Sequence, residues 1–117
     1  MNELGRTGEA VAAKYYQRQG WLLLDHNYRT RFGEIDLILY KENTLVFAEV
    51  KTRSNDRFAA PAEAVGAAKQ QRIIKAAGQY LQHSPFGDSL VRFDVVEVLP
   101  AAGGWQIHCI QHAFEAD

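Results

Sequence analysis

Three residues of this chain have the types and spacing to manage a divalent cation and a water molecule: Asp36, Glu49 and Lys51. Asp36 lies in the apolar run Glu34–Tyr40, and Glu49 and Lys51 lie in a second such run, Thr44–Arg53. Residues two apart on a strand point to the same side, so Glu49 and Lys51 share a face. A two-residue turn at Glu42-Asn43 would set Lys41 against Thr44 and Asp36 against Glu49, with opposed Cβ atoms ~4.5–5.5 Å apart. Carboxylates that face each other in an apolar sheet repel, and their desolvation is unfavourable. A Mg²⁺ or Mn²⁺ ion would relieve both effects, since Mg²⁺ is usually held by one or two carboxylates with water and phosphate completing its shell. Such a cation polarises a phosphodiester and orients water, and Lys51 would orient or activate that water. The same residues also fit a plainer arrangement, an Asp36–Lys51 ion pair with Glu49 exposed at a strand end. A register slip of one residue would turn Asp36 to the other face.

These residues need a sheet to hold them. Leu4, Gly8, Val11 and Tyr15 recur at helical spacing over Glu3–Gln19, and Gly20 is a stop signal. Trp21–Arg29 reads as a strand, followed by the two runs above, joined at Lys41-Glu42-Asn43. Both runs are apolar on either face, as in the middle of a sheet covered on both sides. After a polar loop at Ser54–Ala60, Pro61 can begin a second helix with Glu63 in its first turn; it runs to about His83. Leu90–Leu99 predicts a fourth strand, Pro100–Gly104 a turn and Trp105–Phe114 a fifth strand. The order is α-β-β-β-α-β-β: an α/β fold with a mixed five-stranded sheet flanked by helices.

The 117 residues suit one domain spanning 1–117. With 47% hydrophobic and 23% charged residues the composition is that of an ordinary globular protein, and no apolar run approaches the ~20 residues of a membrane span. The N-terminal residues lack the pattern of a secretory signal, and the single Cys109 excludes an internal disulfide and a cysteine-based zinc site; a cytoplasmic location is expected. Thirteen basic against fourteen acidic residues argue against a protein that coats DNA through bulk charge, but are compatible with a nuclease.

Gly33-Glu34-Ile35-Asp36 followed by Glu49-Val50-Lys51 resembles the PD-(D/E)xK nuclease superfamily, including the archaeal Holliday-junction resolvases. A closer resemblance, over nearly the whole chain, is to the YraN-like family of small, functionally uncharacterised bacterial proteins. It rests on Gly5-x-x-Gly8-Glu9-x-x-Ala12, Gly33-Glu34-Ile35-Asp36, Phe47-Ala48-Glu49-Val50-Lys51-x-Arg53 and Arg92-Phe93-Asp94-Val95. The resemblance implies a restriction-endonuclease-like core in which Asp36 and Glu49 bind Mg²⁺, Lys51 serves catalysis and Glu9 lends a further carboxylate. The "PD" proline is replaced by Ile35. The implied activity is a Mg²⁺-dependent endonuclease on DNA, with branched or junction structures suggested by the resolvases; the alternative is a non-catalytic DNA-binding adaptor in recombination or repair. A symmetric homodimer would present two sites to two strands, though no residue marks its surface.

Other residues have two readings each. Glu9 also suits a solvated helix start, and Glu34 either holds an outer water or faces solvent. Arg29, Arg31, Arg53 and Arg57 make a candidate phosphate-gripping rim, and Lys69, Gln71 and Arg72 on the second helix could contact the DNA backbone or reach the site from the side; a solvated surface is the alternative for each. Asp94, between Phe93 and Val95, predicts a buried ion pair or hydrogen bond. The four histidines have no metal-ligand spacing, Cys109 reads as a small buried hydrophobe, and Trp21, Tyr28, Phe32 and Trp105 read as core or sheet cover.

Overall fold

The computed structural model describes residues 3–53 and 65–116. Its elements are α1 (Glu3–Arg18), β1 (Leu22–Arg29), β2 (Glu34–Lys41), β3 (Thr44–Thr52), α2 (Ala67–Gln82), β4 (Leu90–Ala101) and β5 (Gly104–Phe114). The expected order and the mixed five-stranded sheet are both present. The strands lie in chain order, β1-β2-β3-β4-β5, with β3 and β4 parallel and every other neighbouring pair antiparallel.

Both faces of the sheet are covered, which is why β2 and β3 lack simple polar–apolar alternation. Ala12 and Tyr16 of α1 pack with Leu37, Leu39, Val46, Ala48, Val96 and Val98 on one face. Ile73, Ala76 and Ala77 of α2 pack with Ile38, Leu45, Phe47, Phe93 and Val95 on the other. There Phe93 stacks between Phe47 and Phe114, with ring centroids 5.7 and 5.0 Å away. α1 closes tightly at its N-terminal end because residue 8 is glycine: a Cβ there would collide with the Thr52 side chain at the end of β3.

The β2–β3 turn is the two-residue type expected. Glu42 and Asn43 both have left-handed backbones, with φ of 46° and 63°, which matches the twist of the flanking strands. Lys41 pairs with Thr44 and the ladder runs to Leu37–Ala48, the predicted register.

Two boundaries differ from expectation. Pro100 is not in a turn but paired with Trp105 in the β4–β5 ladder, and Ala101 pairs with Gly104. The reversal needs positive φ, which Gly103 (80°) and Gly104 (156°) supply and proline cannot. The second helix begins at Ala67, not earlier: Gly66 is extended (φ −73°, ψ 165°) and its carbonyl accepts the first helical bond from Gln70 N–H at 3.0 Å. Val65, which falls within the expected span from Pro61 to His83, is instead buried in the core ahead of the helix. The expected loop at 54–60, with Arg57, and the start at Pro61 with Glu63 lie outside the described residues.

Candidate active site

β2 and β3 separate where the acidic residues sit. The β2–β3 ladder ends at Leu37–Ala48, and the next bond is made by a side chain: Val50 N–H donates to Asp36 Oδ2 at 2.8 Å. This pins the Asp36 carboxylate beside β3, leaving Oδ1 for another partner. Glu49, opposite in register, is only 6% exposed, and Lys51 Nζ lies 3.8 Å from its Oε1. The three residues expected to converge do so, on the face covered by α2.

α2 adds a fourth. Lys69 Nζ stands 2.6 Å from the same Glu49 Oε1, well inside ion-pair distance. Of the roles the sequence left open for Lys69, contact with the DNA backbone, a reach into the site from the side or a solvated face, the structure shows the reach: it closes directly onto Glu49. A signal was available, since Lys69 is one turn before the buried Ile73 and so shares the helix's core-facing side. Gly33, Glu34, Asp36, Glu49, Lys69, Arg72 and Ile73 line a cleft of about 210 Å³.

The electrostatics of the cleft are opposed in sign. Burial, and then the charge of Glu49, push the Asp36 carboxyl up to about 7, with Val50 N–H acting in the other direction. Burial and the neighbouring Lys69 ammonium hold Lys51 below its ordinary value, partly offset by Glu49. For Lys69 burial is the largest single influence and acts downward, but the hydrogen bond to Glu49, the charges of Glu49 and Asp36 and the contact with Lys51 together outweigh it, and the net shift is up. A carboxyl poised near neutrality beside a lysine that sheds its proton more readily is the pairing expected of acid–base chemistry.

The donor set suits a hard divalent cation. Asp36 and Glu49 each keep an oxygen beyond those engaged by Val50 N–H and the lysines. Among the described residues no group of three or more His, Cys, Asp or Glu is arranged to hold a metal. Two carboxylates would therefore be this cleft's protein contribution, with water and phosphate to complete a shell. Glu9 lies in an adjoining cleft of about 340 Å³ between α1 and the sheet, with Arg6, Leu23, His26, Asn27 and Leu37. Burial raises its carboxyl, a hydrogen bond with Asn27 opposes this, and its charge reaches Asp36 and Glu49 through space.

The candidate phosphate-binding residues divide. Arg72 lines the cleft, Gln71 is exposed outside its lining, and Lys69 is committed to Glu49. Arg29 pairs with Glu34 at 3.3 Å on the surface, Arg31 lies over the Phe32 ring at 4.8 Å, and Arg57 is outside the described residues. Arg53 is drawn inward, its Nε and Nη2 reaching Oε2 of the fully buried Glu97 at 3.3 and 3.2 Å. Away from the cleft, Asp94 forms the buried ion pair expected of it. Arg92 holds both carboxylate oxygens at 2.9 Å, Tyr16 O–H donates at 2.8 Å and His112 N–H at 3.3 Å. Cys109, half-buried, borders this cluster with its sulfur 3.6 Å from the Tyr16 oxygen, which is less apolar company than its spacing implied.

Residues 8–98 match the family described as uncharacterised protein family UPF0102. A UPF0102 protein of Syntrophus aciditrophicus is 45% identical over 111 residues, covering 95% of this chain and 87% of that protein. One of Frankia casuarinae is 46% identical over 112 residues and 95% of each chain. One of Bacteroides thetaiotaomicron is 42% identical over 113 residues, covering 97% of this chain and 93% of that one.

Proposed function

This chain belongs to the UPF0102 family, and from that starting point we propose that it is a divalent-metal-dependent endonuclease that hydrolyses phosphodiester bonds in DNA. The observation that carries the reading is the meeting of Asp36 and Glu49 in one cleft, at the point where the β2–β3 ladder opens, with Lys51 Nζ 3.8 Å from Glu49 Oε1.

Asp36 and Glu49 would hold Mg²⁺ or Mn²⁺, which when bound supplies Lewis acidity to the phosphoryl oxygen and to the leaving oxygen. Lys51 orients the attacking water and, in its neutral form, accepts the water proton at Nζ. A P–O bond forms to the water oxygen as the opposite P–O bond breaks in line, and the leaving oxygen takes a proton from solvent. Arg72, exposed at the cleft wall, is placed to grip a flanking phosphate. A preference for branched or junction DNA enters only through the resemblance to the resolvases.

A second reading has one observation in its favour. Lys69 already neutralises Glu49, so the cleft is charge-paired as it stands, which suits a DNA-binding adaptor that performs no chemistry. The two separate in a cleavage panel of single-stranded, flap and four-way-junction DNAs with Mg²⁺ or Mn²⁺, comparing wild type with Asp36→Ala and Lys51→Ala. The nuclease reading expects metal-dependent cleavage that falls by about 10²-fold or more in either variant. Cleavage that survives both substitutions would falsify it, and salt-sensitive DNA binding without cleavage under either metal establishes the adaptor.

A further inference from the structure

Two ammonium groups approach one carboxylate oxygen in the cleft: Glu49 Oε1 has Lys69 Nζ at 2.6 Å and Lys51 Nζ at 3.8 Å. They arrive differently. Lys51 is fixed to the strand that carries Glu49, two residues away. Lys69 comes from another element, as a half-exposed side chain (43%) over a carboxylate that is 6% exposed. The backbone beneath Lys69 is anchored. Gln70 bonds the Val65 carbonyl through its side chain and the Gly66 carbonyl through its N–H, and Ile73 is buried one turn on. Only the flexible four-carbon stem of Lys69 is free to swing.

We infer that Lys69 is an internal counter-ion: it holds the acidic centre together when no divalent cation is bound, and must leave Glu49 when one binds. The physical reason is competition for the same carboxylate. A buried carboxylate beside a half-buried one needs compensating positive charge, and an ammonium at 2.6 Å supplies it. Mg²⁺ binds carboxylate oxygens at ~2.0–2.1 Å, and a divalent charge on the open Glu49 oxygen repels an ammonium held on Oε1 of the same carboxylate. Once displaced, Lys69 remains tethered at the cleft mouth with Arg72 one turn along, where a substrate phosphate can take it up. Metal affinity would thus be held down in the free protein and regained when DNA takes up the lysine.

The inference rests on the metal-site reading above, and the test keeps the two apart. Mn²⁺ is titrated calorimetrically, without DNA, into wild type, Lys69→Gln and Lys75→Gln; the last removes the same charge from the same helix at an exposed position outside the cleft lining. Lys69→Gln is expected to bind Mn²⁺ about tenfold more tightly, equivalent to about 1.4 kcal/mol, with Lys75→Gln within about twofold of wild type. Amine labelling of the wild-type protein followed by mass spectrometry supplies a readout that needs no variant: Lys69 should be protected without metal and labelled with saturating Mn²⁺, with Lys75 unchanged. Wild-type binding with equal or weaker affinity in Lys69→Gln, or Lys69 labelling indifferent to Mn²⁺ saturation, overturns the counter-ion role and leaves the metal site standing. Absence of Mn²⁺ binding in all three folded proteins overturns the metal site and the inference together.

Discussion

Asp36 Oδ2 accepts the backbone N–H of Val50 at 2.8 Å, so an acidic side chain of β2 continues a hydrogen-bond ladder that the two main chains have abandoned. The carboxylate is thereby fixed in position but kept in surroundings that resist its charge, since burial and Glu49 both oppose ionisation.

Stability should consequently fall as pH rises. The Asp36 carboxyl is raised from 3.8 to about 7 in the folded chain, so its contribution is fully present below about pH 4 and is lost as pH climbs through about 7. The loss is on the order of 4 kcal/mol for a difference of this size. Asp36→Asn keeps a carbonyl oxygen for Val50 N–H and removes the titration. Urea unfolding at pH 5 and pH 8 should show a clear drop for wild type and a nearly flat response for the variant. Saturating Mg²⁺ at pH 8 should restore wild type alone.

Glu9 offers a more graded test. Its cleft adjoins the candidate active site without sharing its lining, yet its charge helps to hold Asp36 up. Glu9→Gln should move the midpoint of the pH–stability curve towards acid. In the cleavage assay it should cost less than about tenfold, against about 10²-fold or more for Asp36→Ala. A loss as large as that of Asp36→Ala would make Glu9 a direct participant.

The Asp94 cluster should matter for stability and not for chemistry. Arg92 reaches both oxygens of a fully buried carboxylate, and its removal leaves a charge without its counter-ion. Arg92→Met should cost about 3–5 kcal/mol in chemical unfolding. Tyr16→Phe deletes one of the remaining donors to Asp94 and should cost about 1–3 kcal/mol. The fraction of Tyr16→Phe that folds should retain wild-type Mn²⁺ affinity, since the cluster lies on the α1 face and the cleft on the other.

Gly8 and Thr52 should behave as a coupled pair. A Cβ at residue 8 meets Thr52 Oγ1 and, at 3.1 Å, Cγ2. Gly8→Ala is expected to destabilise by about 1–3 kcal/mol through overpacking. Adding Thr52→Ala removes both atoms and should return part of that loss, read as a non-additive double-mutant cycle. Additive costs would mean that α1 adjusts without pressing on β3.

Much of this arrangement was legible in the residues because it depends on local rules. A two-residue turn fixes a hairpin register, and alternation fixes which side chains share a face, so the convergence of Asp36, Glu49 and Lys51 followed from spacing. The Asp94 ion pair was foreseeable from a charge set among apolar neighbours, though Tyr16, far away in sequence, was not foreseeable as its partner. Arg53 illustrates the opposite failure: at a strand end it resembled a phosphate contact, but the buried Glu97 beside it in the sheet claims the guanidinium. For Lys69 the sequence left DNA contact, a reach into the site from the side and a solvated face all open, and its place one turn from Ile73 favoured the reach. Pro100 shows that a strand can include a proline when adjacent glycines supply the reversal.

The strand order has a consequence for biosynthesis. Because β1, β2 and β3 are contiguous in the chain and adjacent in space, both acidic groups are synthesised on one meander before residue 69 is polymerised. A chain of that length carries both carboxyl groups with their helical neutraliser still unmade. Docking of the crossover helix is thus the event that relieves the repulsion, and charge balance and completion of the sheet are reached together.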